Sequence, residues 1–168
     1  FDIWMRLLTK AEGSVLWLYK SNSFAAENLY KEAEQRGIER KRIIFADKLP
    51  LNQHLMRYTL GDLALDTFNC NGHTTTADAL WMGLPVITKI GKSFASRVSA
   101  SLLTSLELPE LITKTNNHYL ELTLELAQNK NYLEKIKNKL IKNKENSQLF
   151  QSKSYTKNLE GNLRKLII

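Results

Sequence analysis

Apolar residues change their spacing repeatedly along this chain, and each change marks an element. From Phe1 to Ala11 they fall at positions 1, 3, 4, 5, 7 and 8, the spacing of a helix whose start is expected upstream of Phe1. Ser14 to Tyr19 is then a short apolar run bounded by Gly13 and by Ser21-Asn22-Ser23, the pattern of a strand buried on both faces. Phe24 to Arg36 returns to helical spacing, with Ala26, Leu29, Tyr30 and Ala33 on one side and Gly37 as a stop. Arg42 to Ala46 reads as a second buried strand, Pro50 to Tyr58 as a short helix and Leu63 to Phe68 as a third strand. A helix is predicted from His73 to Met82, closed by Gly83, then a strand over Pro85 to Thr88, a helix over Ser93 to Leu106 and a fifth strand over Glu110 to Thr113. From Asn116 onward the pattern is helical to the end, with a break near Asn146-Ser147.

Short apolar strands alternating with helical stretches imply βαβ units, and so an α/β fold: a Rossmann-like parallel sheet flanked by helices on both faces. Ligands of such sheets sit at the carboxyl ends of the strands, so the loops after residues 46, 68 and 88 are where chemistry is sought. No repeat or low-complexity linker divides residues 1–168, which read as a single lobe. The longest apolar run, Val15–Tyr19, is far short of the roughly 20 residues that span a bilayer, so no membrane partner is expected. No secretory leader is visible, and Cys70, the single cysteine, suits a reducing compartment; a cytoplasmic location is expected.

The formal charge of +7 raises nucleic acid as a partner, but its distribution argues against it. Residues 110–168 hold 11 basic and 6 acidic residues, and much of that excess is the run Lys135, Lys137, Lys139, Lys142 and Lys144. It shares one segment with apolar Tyr132, Leu133, Ile136, Leu140 and Ile141, so it reads as the solvated face of an amphipathic helix, and no aromatics interleave the lysines for base stacking.

The stretch Asp66 to Asp78 carries the chemistry. A strand ends, Gly72 permits a tight turn, and a helix begins near His73, so the amides of its first turn point back into the crevice. With the hydroxyls of Thr74, Thr75 and Thr76 they form an anion site on the positive end of the helix dipole. Asp78, four residues beyond Thr74, falls on the same face one turn deeper, where a carboxylate can accept from the vicinal hydroxyls of a ribose. The spacing fits equally well a helix that the threonines merely cap. His54 and Arg57 project together from the preceding short helix; an isolated pair of this kind reads more readily as surface decoration than as a base contact.

Asn71-Gly-His-Thr-Thr75, Asp78-Ala-Leu-Trp-Met-Gly-Leu-Pro-Val86, Ser93-Phe-Ala-Ser-Arg-Val98 with Ala100-Ser-Leu-Leu103, and Ser14-Val-Leu-Trp-Leu18 strongly resemble the C-terminal catalytic half of protein O-GlcNAc transferases and the similar SPINDLY-like plant enzymes. The resemblance covers nearly the whole chain. It implies the C-terminal, donor-binding lobe of a two-lobed GT-B glycosyltransferase, with tetratricopeptide repeats and an acceptor-binding lobe ahead of it, and helices 116–168 packing on this lobe or returning to the other. The implied activity is transfer of GlcNAc from UDP-GlcNAc to Ser or Thr of acceptor proteins; UDP-glucose, GDP-fucose and a non-catalytic nucleotide-binding module are the alternatives.

Residue by residue, the resemblance places uracil contacts on His54 and Arg57, pyrophosphate contacts on His73, Thr74 and Thr75, with His73 next to the sugar, and the ribose-binding carboxylate on Asp78. No residue of this chain is assigned a catalytic role. Leu51 stands where animal members have a lysine, and the family's phosphate-binding lysine would lie upstream of Phe1. No cofactor or metal is expected, and no Asp-x-Asp motif occurs. A lobe lacking that lysine and the acceptor side is expected to bind nucleotide weakly and transfer nothing.

Other residues invite simpler readings. Ser93 is expected to cap its helix, Arg97 to pair with a carboxylate or touch ligand, Cys70 to be a small filler, His118 to cap a helix, and Trp4, Trp17 and Trp81 to lie in the core.

Overall fold

Leu16–Tyr19 (β1) and Ile43–Ala46 (β2) run parallel in full register, Leu16 opposite Ile43 and Tyr19 opposite Ala46. Ala64–Leu65 (β3), Val86–Lys89 (β4) and Ile112–Thr113 (β5) form a second parallel ladder in the order β3-β4-β5. The computed structural model describes residues 1–166 of the chain. Eight α-helices accompany the strands among these residues: α1 (Asp2–Lys10), α2 (Ser23–Gln35), α3 (Leu51–Arg57), α4 (Thr74–Trp81), α5 (Val98–Ser105), α6 (Asn116–Gln128), α7 (Lys130–Asn146) and α8 (Ser152–Leu166). Every strand is parallel to its neighbour and followed by a helix, as the alternating pattern implies.

The ladder is broken between the two sheets. Two hydrophobic clusters match this division: one centred on β4 with Leu80, Leu103, Leu106, Tyr119, Leu126 and Leu140, the other on β1 and β2 with Met5, Leu8, Ala33 and Ile38. Trp4 and Leu65 pack against both and join them. Among the described residues, only β4 is buried on both faces. β1 and β2 bury one face; Trp17, 40% exposed, lies beside Ile44 on the other, with Val15 and Tyr19. The continuous apolar run therefore does not signify two covered faces. Trp81 is exposed too, packing edge-on against Phe150 with the Lys144 ammonium over its ring.

Helix ends follow local chemistry. Gly37 and Gly83 close α2 and α4 at positive φ, a conformation that side chains resist. Arg42 donates from Nη1 to the Leu8 carbonyl, from Nη2 to that of Ala11 and from Nε to that of Ser14, tying the C-terminal end of α1 to β2. The helical tail breaks at Asn129 as well as near Ser147, because the Asn129 side chain accepts from the Tyr132 amide and starts α7. Thr115, rather than His118, caps α6, accepting from the His118 amide. On α7 the apolar residues Leu133, Ile136 and Leu140 are buried while Lys137 and Lys139 reach Asp62 and Glu110, so the lysine run is the solvated face expected of it.

Tyr119 is fully buried and donates to the Asp66 carbonyl at 3.3 Å. Burial first, and then the nearby Asp66 carboxylate, push its phenol well above the ordinary tyrosine range. A raised folded-state value means that the neutral phenol's contribution is complete below about pH 10 and is lost as the pH rises through the folded value. We expect the urea midpoint to fall between pH about 7 and about 11, and to fall less in Tyr119→Phe; equal losses in both proteins would refute this.

Candidate functional site

The loop after β3 is organised by a carboxylate that sequence reasoning left without a role. Asp66 is 6% exposed. Its Oδ1 accepts from the Gly72 amide at 2.7 Å and its Oδ2 from the Thr88 hydroxyl of β4 at 2.6 Å. One buried anion thus fastens the turn before α4 to the centre of the sheet, with charge-assisted hydrogen bonds on both oxygens. Within the loop, Thr67 donates to the Cys70 carbonyl and Asn71 Nδ2 to the Thr67 carbonyl at 2.7 Å. The Asn71 amide crosses to the Ala95 carbonyl at 2.8 Å, bonding this loop to the one after β4. Cys70 is exposed, so it fills no gap in the core.

Gly72 is needed for space. A Cβ there would stand 2.6 Å from the hydroxyl oxygens of both Thr75 and Thr76 and 3.3 Å from the Thr76 amide nitrogen. Thr76 is buried and shares a 2.9 Å hydrogen bond with Ser99, whose hydroxyl donates to the Gly72 carbonyl at 3.0 Å. Thr76 is therefore committed to the fold and is not available to the crevice.

His73 occupies the N-cap position of α4 without a side-chain cap. The threonines do not cap this helix either. Among the described residues, the amides of His73, Thr74 and Thr75 have no protein hydrogen-bond partner, whereas the Gly72 amide is taken by Asp66. His73, Thr74 and Thr75 are exposed, and the His73 ring meets Phe94 edge-on at 6.0 Å between centroids. The first turn of α4 thus collects amide and hydroxyl donors on the carboxyl side of β3.

Asp78 is half-buried on the next turn; its carbonyl accepts from the Met82 amide, while its carboxylate has no hydrogen-bond partner among the described residues. It lies near Tyr58. Burial first, then the Asp78 charge, raise the Tyr58 phenol, and the Arg57 guanidinium opposes them. Tyr58 in turn holds the His54 ring, 5.3 Å between centroids at 73°, with the hydroxyl 3.5 Å from Nε2. Tyr58, which follows α3, therefore packs on His54. Arg57 turns elsewhere: its Nη2 donates to the Asp47 carbonyl after β2 at 2.9 Å. Arg57 Nε and Asn71 Oδ1 are the buried side-chain polar atoms without a partner among the described residues, and both belong to this region.

Two expectations about the loop after β4 need correction. α5 begins at Val98, so Ser93 lies ahead of it and organises a turn, its Oγ 2.9 Å from the Ser96 Oγ. Arg97 donates to the Ser93 carbonyl at 3.2 Å and pairs with no carboxylate among the described residues, so of its two expected roles only the ion pair is overturned.

This is a Rossmann-like α/β lobe whose donor groups gather at the carboxyl edge of its sheet, the architecture of one half of a GT-B glycosyltransferase. The chain belongs to glycosyl transferase family 41, which it matches over residues 1–159. It is 35% identical over 159 residues to the UDP-N-acetylglucosamine–peptide N-acetylglucosaminyltransferase of Caenorhabditis elegans, covering 95% of this chain and 14% of that protein. It is 33% identical over 173 residues to the probable enzyme of that name, SPINDLY, of Arabidopsis thaliana, covering 98% of this chain and 18% of the relative. A lysine-to-methionine mutant of the Thermobaculum terrenum O-GlcNAc transferase superposes with a TM-score of 0.91 at 29% identity, over 98% of this chain and 32% of that one. The chain thus spans under a third of each of these relatives.

Proposed function

We propose that this chain is the donor-binding lobe of a protein O-GlcNAc transferase that moves GlcNAc from UDP-GlcNAc to serine or threonine hydroxyls. The observation that carries the reading is the set of unpartnered amides at His73, Thr74 and Thr75, presented beside two exposed threonine hydroxyls and held in place by Asp66. These donors suit the diphosphate. Asp78 accepts from the ribose hydroxyls, and His54 with Arg57 faces the base, for which Arg57 leaves its bond to the Asp47 carbonyl or shares it.

In the transfer, the bond between the sugar's anomeric carbon and the diphosphate oxygen breaks as the acceptor oxygen bonds to that carbon. Negative charge grows on the diphosphate. Amides fixed in advance, with the helix dipole behind them, stabilise that charge without reorganising, and each such donor is worth about 10²- to 10³-fold in rate. The acceptor proton passes to a base outside this chain. No cofactor or metal is required in this reading, so the full-length protein is expected to retain activity in a chelator.

The acceptor lobe and tetratricopeptide repeats belong to the remainder of the protein. α8 carries Tyr155, Leu159, Leu163 and Leu166 exposed along one stripe, which supports its return to the acceptor lobe. The proposed location is cytoplasmic, a reading that the exposed free thiol of Cys70 supports; among the described residues no helix is long and apolar enough to cross a membrane.

Calorimetric titration of the full-length protein with UDP, GDP, UDP-GlcNAc and UDP-glucose tests the reading. UDP and UDP-GlcNAc are expected to bind. Leu51, 70% exposed where the family resemblance expects a lysine, is the specific reason to include GDP, and binding of GDP alone would move the donor to GDP-fucose. Loss of a charged hydrogen-bond acceptor costs about 1.5 to 3 kcal/mol, so Asp78→Asn is expected to weaken UDP by roughly 10- to 100-fold while leaving inorganic pyrophosphate unchanged. Equal weakening of both would remove Asp78 from the ribose.

A further inference from the structure

A cavity of about 370 Å³ opens at the carboxyl ends of β4 and β5, lined by Lys89, Lys92 and Lys114 together with Phe68, Gly91 and Ser96. Among the described residues, no carboxylate lines it. None of the three lysines forms an ion pair among the described residues, although other surface lysines do. Lys89 is not loosely solvated: its Nζ donates to Asn116 Oδ1 at 2.9 Å and stands 4.3 Å from the centroid of the Phe68 ring. The cavity wall is tied as well, since the Gly91 amide donates to the Ser96 carbonyl at 2.8 Å and a Cβ at Gly91 would collide with the Ser96 side chain.

The cavity adjoins the turn before α4. Phe68 and Asn69 line it and belong to the loop that ends at His73, and Phe94, which meets the His73 ring, lies between its lining residues Ser93 and Ser96. Three uncompensated cations around one concavity, one of them pinned, define a site for an anion larger than a counterion. The donor's diphosphate is already served by the first turn of α4, so the neighbouring cavity remains for what approaches the sugar from the other side.

We infer that this cavity is a specificity subsite that receives an acidic segment, Asp or Glu, flanking the modified residue of the acceptor polypeptide. The inference rests on the transferase reading for the identity of its ligand, though its binding test does not depend on transfer.

Two peptides sharing one serine site, with either acidic or neutral flanks, are to be compared on the full-length protein. Measurements are direct binding by fluorescence anisotropy and steady-state transfer. The variants are Lys89→Ala/Lys92→Ala/Lys114→Ala and, since Lys89 packs on Phe68, Lys92→Gln/Lys114→Gln, which touches exposed side chains only. Wild type is expected to favour the acidic peptide by about tenfold in binding and in KM, with the preference shrinking as salt rises. Both variants are expected to reduce that preference, leaving kcat, the neutral peptide and the KM for the sugar nucleotide unchanged. Lysine-dependent binding of the acidic peptide without transfer to either peptide would uphold the subsite and overturn the transferase reading. Transfer with no flank preference, or variants that weaken the sugar nucleotide instead, would overturn the subsite.

Discussion

Replacing Asp66 by alanine is expected to lower the stability of the fold by about 3 kcal/mol, a fall of roughly 6 to 12 °C in melting temperature for a chain of this size. The reasoning concerns what is left behind. Asp66 accepts from the Gly72 amide and the Thr88 hydroxyl, and Thr88 is fully buried on β4. Removing the carboxylate orphans both donors where little water can reach them, and an unsatisfied buried polar group costs about 1 to 3 kcal/mol. Thr88→Val removes one of those donors along with its bond and is expected to cost less, about 1 kcal/mol. Asp66→Asn keeps an acceptor for Gly72 and should fall between the two. Thermal denaturation of the three variants checks the order; a change under about 2 °C for Asp66→Ala would show that the carboxylate does not hold the sheet to the turn.

Gly72→Ala is expected to act on the ligand more than on the fold. Its new methyl would lie 2.6 Å from two hydroxyl oxygens, and Thr76 cannot step aside without releasing Ser99. The turn has to open instead, which swings the amides of His73, Thr74 and Thr75 off a common point. Fixed donors of this type contribute about 10²- to 10³-fold when charge is stabilised, so UDP affinity is expected to drop by about 10²-fold. The global cost should stay within the 1 to 3 kcal/mol typical of overpacking. Binding of UDP within about threefold of wild type, by calorimetry, would show that these amides do not meet the diphosphate.

Much of the fold was legible because its signals are local. Strands β1, β2, β4 and β5 lie within a residue or two of their predicted places, since each is a short apolar run between turn-forming residues. Gly37 and Gly83 end their helices as predicted. What escaped depends on distant partners. An apolar run such as Val15–Tyr19 records which residues tolerate burial, and says nothing of whether a second layer covers Trp17. Asp66 resembles any acid at the end of a strand; its burial follows from Gly72, six residues away, and from Thr88, on the next strand. Thr76 looked interchangeable with its two neighbours, yet the helix turns it toward Ser99, and only the register between α4 and α5 decides that. The candidate site was found through the turn around Gly72 and the resemblance built on it; Tyr58, which packs on His54, had no motif to announce it.

The hydroxyl chain from Thr76 through Ser99 to the Gly72 carbonyl, with the Asn71 amide bonded to the Ala95 carbonyl, has a dynamic counterpart. Two segments that would otherwise breathe separately are latched into one cooperative unit. Deuterium should therefore enter the amides of Asn71, Gly72 and Gly91 together, through a single shared opening.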